Sequence, residues 1–221
     1  EKSPATGTFE DKDASGRRIL AHEVSFTNRR LQGDLSVEKV VDSDETEDKT
    51  REFSFRVQLD YSLTGTYGEG DTAMTFTNGL AVFTLKDGDT KVAAGLPTGI
   101  QYTVTETADS RFDTETTING SAAETARVDL LAGDHNQIVF KNVRKVGGLT
   151  VTKTVASDAA ADKQRAFAFT VTLSDSTING VYRKGIGEDQ SVMTFENGVA
   201  KFTLKDGESI SAGGIPQGIT Y

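Results

Sequence analysis

Residues 74–85 read MTFTNGLAVFTL, and residues 193–204 read MTFENGVAKFTL. Each stretch places an Asn-Gly pair between two runs in which apolar and polar residues alternate. Alternation with a period of two is typical of half-buried β-strands. Asn-Gly is the strongest short signal for a tight hairpin between two strands. We therefore predict the same β-hairpin at two places in the chain.

The sequence around the two hairpins repeats as well. GLPTGIQY at 95–102 returns as GIPQGITY at 214–221, at the same spacing as the hairpins. Upstream, LSVEKVV at 35–41 matches LTVTKTV at 149–155, at a shorter spacing. The second copy therefore carries a few extra residues, within or near STINGVYRKG at 176–185. Internal repeats of this kind predict a tandem array of similar domains.

A third repeated block divides the chain into parts. EVSFTNRR at 23–30 matches QIVFKNVR at 137–144. We predict that residues 1–30 are the C-terminal strands of a preceding repeat and that residues 34–144 are a complete β-sandwich repeat. Residues 148–221 are predicted to be the N-terminal part of a further repeat, truncated before its last strands.

Each copy is predicted to be all-β. Val, Thr, Ile, Phe and Tyr dominate the alternating runs, as in FSFRVQL at 53–59. Seven to nine short strands in about 110 residues suggest an immunoglobulin-like sandwich. The connections Leu31–Gly33 and Lys145–Gly147 are short, which favours a stiff rod. The acidic run at 42–48 is predicted to be a loop between strands.

Composition narrows the classes of function. The chain has 24 Lys and Arg against 33 Asp and Glu, a net charge of −9, which disfavours nucleic acid and anionic lipid as partners. The absence of cysteine excludes disulfides, thiolate metal sites and cysteine nucleophiles. No run approaches the roughly 18 apolar residues of a membrane helix, so we expect no membrane insertion. His22 and His135 are too few for a metal site, and we predict neither a metal nor a cofactor.

Three polar residues are aligned with apolar residues on predicted strands. Side chains two residues apart share one face of a strand. Lys39, Glu106 and Asn142 each follow two apolar residues on the same face: Leu35 and Val37, Tyr102 and Val104, and Ile138 and Phe140. Burying a lone charge costs several kcal/mol, so we infer that the three side chains are placed together. Two of them have counterparts in the partial copies, Lys153 and Asn28.

These three residue types can form an intramolecular isopeptide bond. Burial favours the neutral lysine amine, which can attack the asparagine amide with loss of ammonia. A buried, protonated glutamate can polarise the amide carbonyl and carry the proton between the two nitrogen atoms. The alternative is an ordinary salt bridge between Lys39 and Glu106, with Asn142 capping a turn.

The blocks, taken in order, resemble a known family. LSVEK and LTVTK, FTLKDG, the Leu/Ile-Pro-x-Gly-x-x-Tyr block, YTVTE, and the closing VSFTN and IVFKN are similar to the isopeptide-forming domains of streptococcal major backbone pilins. They are more loosely similar to the B-type (Cna B-like) surface repeats of collagen adhesins. The resemblance implies a Lys39–Asn142 isopeptide bond assisted by Glu106. Lys153 and Asn28 belong to different copies, so the resemblance does not imply that they pair with each other.

The same resemblance implies a function. We expect a structural stalk repeat of a Gram-positive pilin or adhesin, extracellular and anchored to the cell wall, with neighbouring repeats as its partners. It is not expected to be a turnover enzyme. The alternative is an adhesive module that binds a host matrix protein or glycan. Leu96–Gly99 is similar to a sortase signal but is predicted to be a turn, because it recurs in the second copy.

Overall fold

The computed structural model describes residues 12–13, 15–17 and 24–221. Strands dominate these residues, which confirms the predicted all-β class. Among them, no helix is both long and apolar enough to cross a bilayer. Most of the predicted strands in 1–30 lie outside the described residues. Residues 24–31 form no strand, and Val24 and Phe26 are 63% and 71% exposed, because no described segment pairs with this stretch in a ladder.

The first unit is the complete repeat. It contains a five-residue helix, α1 (Thr46–Thr50), a 3₁₀ turn at Gly70–Thr72, and a series of strands. The strands are β1 (Gln32–Asp42), β2 (Phe53–Leu59), β3 (Gly65–Tyr67), β4 (Met74–Phe76), β5 (Leu80–Leu85), β6 (Thr90–Pro97), β7 (Ile100–Glu106), β8 (Phe112–Ile118), β9 (Ser121–Ala122), β10 (Ala126–Leu130) and β11 (His135–Arg144).

Two sheets form the layers of this unit. A five-stranded sheet has the order β6-β1-β11-β8-β9, and a four-stranded sheet has the order β10-β7-β2-β5. Buried side chains of both sheets form one apolar core between them, as in a β-sandwich. The strands β3 and β4 form a separate small hairpin.

The first and last strands of the unit are neighbours. β1 and β11 run parallel, with Val37 opposite Ile138, Lys39 opposite Phe140 and Val41 opposite Asn142. Every second residue of β1 from Gly33 to Val41 is buried, as the period-two pattern predicts. This pairing places the beginning and the end of the repeat side by side at the centre of the five-stranded sheet.

Two local predictions were wrong. The acidic run at 42–48 is not all loop, because α1 begins at Thr46 and Asp48 is buried. The connections between repeats are not separate linkers either. Gln32 and Gly33 already belong to β1, and the next strand begins at Val146, so a single residue separates the two units.

The second unit repeats the first half of this architecture. It has one short helix, α2 (Ala160–Gln164), and its strands are β12 (Val146–Thr152), β13 (Phe167–Thr172), β14 (Gly180–Val181), β15 (Thr194–Phe195), β16 (Val199–Leu204) and β17 (Ser209–Pro216). The pairs β12–β17, β13–β16 and β14–β15 match β1–β6, β2–β5 and β3–β4 of the complete repeat. A smaller apolar core includes Met193 and Phe195.

The two units differ in how far they bury equivalent residues. Phe53 and Phe55 of β2 are 3% and 0% exposed, because a second sheet covers them. Their counterparts, Phe167 and Phe169 of β13, are only half-buried. Up to Tyr221, no described strand of the second unit matches β7 to β11, and this missing cover explains the difference.

Candidate functional site

The candidate site lies where the two sheets of the complete repeat meet. Lys39 is on β1 and Asn142 on β11, next to each other in the five-stranded sheet, while Glu106 ends β7 in the opposing sheet. The side chains of Lys39 and Glu106 are 0% and 5% exposed, and Asn142 is 1% exposed. The structure therefore brings together the three residues that the sequence singled out.

Glu106 is the centre of this cluster. Its Oε1 lies 3.2 Å from Lys39 Nζ, and its Oε2 accepts a hydrogen bond of 3.3 Å from the same nitrogen. The amide Nδ2 of Asn142 donates to Oε1 over 2.7 Å. A single carboxylate thus contacts both the amine and the amide. The salt bridge that we considered as the alternative is present, but Asn142 joins it rather than capping a turn.

The surroundings of Lys39 favour its neutral form. Burial lowers the pKa of the Lys39 amine from its ordinary value of 10.5, and the nearby Glu106 carboxylate opposes this shift without reversing it. Nζ also donates to the carbonyl oxygen of Phe140 over 3.3 Å and lies 4.5 Å from the centroid of the Phe53 ring. The amine is therefore fully buried between the Glu106 carboxylate, a backbone carbonyl oxygen and one aromatic ring.

Thr114 is a residue of the site that the sequence analysis missed. It lies on β8 opposite Asn142, and its hydroxyl donates to Asn142 Oδ1 over 2.7 Å. The two ends of the asparagine amide are thus held separately, the nitrogen by Glu106 and the oxygen by Thr114. No sequence pattern distinguishes Thr114, because it lies in the strand FDTETTI, in which every residue between Phe112 and Ile118 is polar.

The partial copies do not assemble a second cluster. Lys153 is half-buried, and its Nζ lies 4.5 Å from the Phe167 ring centroid, the same distance as between Lys39 and Phe53. It donates to the carbonyl oxygen of Thr154. Asn28 is exposed in the stretch at 24–31, and no hydrogen bond joins it to Lys153 within the described residues.

The remaining candidates have structural roles or lie outside the described residues. His22 falls outside them. His135 is exposed at the start of β11, where its Nδ1 lies 2.7 Å from Asp34. Across the part of the chain that the structure describes, no three His, Asp or Glu residues are grouped as a metal site.

Both units match the same known protein family. The family described as "Domain of unknown function (DUF7601)" matches residues 33–144 and, a second time, residues 147–221. The chain belongs to the DUF7601 family. The first DUF7601 unit contains the Lys39, Glu106 and Asn142 cluster, and the second contains the lysine counterpart, Lys153.

Relatives of this DUF7601 chain include pilus proteins. It is 36% identical over 102 residues to the pilus tip adhesin Cpa of Streptococcus pyogenes, a match that covers 44% of this chain and 15% of that protein. This similarity confirms the resemblance to streptococcal pilus proteins. The chain thus spans a small part of the relative's length.

Two solved structures are also similar in part. The pilus-presented adhesin Spy0125 (Cpa) is 26% identical with a TM-score of 0.43, covering 52% of this chain and 28% of that one. The major pilin T3.2 of Streptococcus pyogenes is 22% identical with a TM-score of 0.45, covering 52% of this chain and 46% of that one.

Proposed function

We propose that residues 33–144 form a structural repeat of a Gram-positive pilus or adhesin protein, and that this repeat closes itself with an isopeptide bond between Lys39 and Asn142. The observation that carries the proposal is the position of Glu106 Oε1, 3.2 Å from Lys39 Nζ and 2.7 Å from Asn142 Nδ2. One carboxyl group contacts both the attacking nitrogen and the leaving nitrogen.

The reaction needs no external reagent. The neutral amine of Lys39 attacks Cγ of Asn142, and the carbonyl oxygen gains negative charge that the Thr114 hydroxyl can stabilise. Glu106 receives the proton that the attacking nitrogen loses and delivers one to the amide nitrogen. The bond between Cγ and Nδ2 breaks, ammonia leaves, and a secondary amide joins the two side chains. Glu106 ends the reaction in the state in which it began.

The bond supports a structural role. It would join the first and last strands of the repeat and close a loop of about 100 residues, which by analogy with a disulfide stabilises the fold by roughly 4–5 kcal/mol. The chain has no cysteine, so a disulfide cannot supply this stability. Both reacting groups would be consumed, so the complete repeat would react once rather than turn over.

The surface location and the partners are part of the same proposal. The matched relative is named a pilus tip adhesin, and two DUF7601 units follow each other here with one residue between their strands. We infer an extracellular protein anchored to the cell wall, in which neighbouring repeats are the immediate partners of each unit.

A second candidate function is adhesion. The name of the matched relative favours it, and a host matrix protein or glycan would then be the ligand. Saturable binding of the full chain to immobilised matrix proteins or glycans would support this alternative. If the chain carries the crosslink and binds none of these ligands, the structural role is supported and adhesion is not.

The intact mass of the full chain tests the crosslink. We expect the mass to be lower than that of the sequence by one ammonia, and peptide mapping to join the Lys39 and Asn142 peptides. The variants Lys39→Ala and Asn142→Ala should have their full calculated masses, while Lys153→Ala should still lose one ammonia. A wild-type mass equal to that of the sequence would overturn the proposal.

A further inference from the structure

One loop distinguishes the second unit from the first. Tyr67 and Tyr182 are equivalent, because each packs edge-on against a core phenylalanine, with ring centroids 6.1 and 5.9 Å apart. After Tyr67 the chain continues with Gly68 and Glu69. After Tyr182 it continues with Arg183 and Lys184, and several further residues follow before the next strand. We call residues 182–184 the basic loop.

The basic loop lies at the junction between the two units. The hydroxyl of Tyr182 donates to Glu45 Oε1 over 3.3 Å. Arg183 and Lys184 line the same cleft as Asp44 and Glu45. We call Asp42, Asp44 and Glu45 of the complete repeat the acidic edge. The extra residues of the second copy therefore begin where it contacts the unit before it.

Electrostatic effects at the junction agree with this placement. Burial, followed by the charge of Glu45, raises the pKa of the Tyr182 hydroxyl to about 12. Lys141 is the main cause of a lowered pKa at Asp42, and Lys184 of the second unit adds to that effect. Lys184 is thus within electrostatic range of Asp42, while the Arg183 guanidinium donates to the carbonyl oxygens of Gly187 and Glu188 in its own segment.

Neither unit has both halves of this contact. The Ser43–Asp48 and Ser157–Asp162 hydrogen bonds are equivalent, both 2.6 Å long, and they align the two edges. At the positions of the acidic edge the second unit has Ala156, Asp158 and Ala159, so one carboxylate replaces three. The loop of the first unit, residues 68–73, contains no basic residue.

We propose that the acidic edge and the basic loop are a recognition pair that determines which repeat can follow which, so that the basic loop takes an acidic-edged repeat of the same family as its partner. Opposite charges across a contact fix its register, and like charges facing each other disfavour the wrong neighbour. The pair uses no residue of the crosslink cluster, and the inference does not depend on the isopeptide bond.

The distance between the units in the full chain tests this inference. The chain has no cysteine, so spin labels at Thr105→Cys and Ala168→Cys, both exposed strand positions, report one inter-unit distance. We expect a narrow distance distribution in the otherwise unmodified chain. Arg183→Glu with Lys184→Glu should broaden it toward longer distances, because an acidic loop then faces the acidic edge.

Two further variants separate charge matching from general charge effects. Lys201→Glu with Lys205→Glu makes the same charge change at exposed positions of the second unit and should leave the distribution narrow. Adding Asp44→Lys and Glu45→Lys to the reversed loop restores opposite charges and should narrow the distribution again. If the reversed loop leaves the distance distribution unchanged, or if the distribution stays broad after this compensation, the inference is overturned.

Hydrogen exchange of the β16 amides shows whether the second unit stays folded in each variant. If the reversed loop unfolds it, residues 183–192 are replaced by residues 68–73, a shorter segment that the complete repeat already accommodates. Broadening in this loop-swapped chain supports the recognition pair, and an unchanged narrow distribution contradicts it.

Discussion

Lys39 and Asn142 lie on neighbouring parallel strands, and both side chains are buried on the same side of the sheet. Asn142 is paired in the ladder with Val41, two residues beyond Lys39. The two reacting groups therefore approach each other diagonally on the inner face. Glu106 reaches them from the opposite sheet, so the cluster forms only when the two sheets have packed together.

Replacing Glu106 should prevent the crosslink without preventing folding. We expect Glu106→Ala to keep its β structure, to show the full mass of the sequence, and to lose roughly 4–5 kcal/mol of unfolding free energy relative to the crosslinked chain. Glu115→Ala, at an exposed position of β8, serves as the control and should crosslink normally. Full ammonia loss in Glu106→Ala would show that the glutamate is dispensable.

The Thr114 hydroxyl should accelerate the reaction. Thr114→Val removes the donor to Asn142 Oδ1 but keeps the branched shape of the side chain, and loss of one such donor slows related reactions about 10²-fold to 10³-fold. The measurement starts from chain that is held unfolded in denaturant and has not yet crosslinked. Its mass is followed as a function of time after dilution out of the denaturant. Thr114→Ser keeps the hydroxyl and should react at nearly the wild-type rate. Equal rates for Val and Ser would remove Thr114 from the mechanism.

The buried amine predicts a pH dependence of stability in the uncrosslinked chain. The pKa of Lys39 is lowered in the folded state, so the unfolded chain binds this proton more readily, and stability rises with pH wherever the unfolded state holds more protons. The unfolding free energy of Asn142→Ala should therefore rise as pH increases from the lowered pKa toward 10.5. Chemical denaturation at a series of pH values measures this, and the same slope in Lys39→Met with Asn142→Ala would contradict it.

A buried ion pair near the junction should contribute to the stability of the complete repeat. Arg144 Nη1 lies 2.9 Å from Asp48 Oδ1, and their side chains are 13% and 4% exposed. Asp48→Ala leaves the arginine without this partner and should cost about 3–5 kcal/mol. The equivalent Asp162→Ala in the second unit removes an exposed carboxylate and should cost less than about 1 kcal/mol. Similar losses in both variants, measured by denaturation, would argue against this role for the pair.

The strands and the core-facing lysine could be predicted because they depend on local patterns. The alternation of FSFRVQL and the Asn-Gly turns specify strands and hairpins wherever they occur, and the same alternation identifies Lys39 as a core-facing position. The parallel pairing of β1 with β11 could not be read this way, since it joins segments about 100 residues apart through contacts that leave no local pattern.

The wrong prediction at 42–48 and the two features that the sequence did not reveal each depend on a contact with another segment. The run at 42–48 looked like a solvated loop because it is acidic, but Ser43 and Arg144 both bond to Asp48 and draw its side chain inward. Thr114 was missed because its role depends on a residue of the neighbouring strand. The contact between Tyr182 and Glu45 joins two repeats and was invisible to a comparison of each repeat with its copy.

The parallel arrangement of β1 and β11 has a mechanical consequence. The chain enters the complete repeat at the start of β1 and leaves it at the end of β11, so tension on the two ends pulls these neighbouring strands in opposite directions along their length. All the hydrogen bonds between them would then bear the load together. With a covalent bond between Lys39 and Asn142, the load would pass from β1 to β11 through that bond. The strands between them, β2 to β10, would then carry no tension, and the repeat would transmit force without extending.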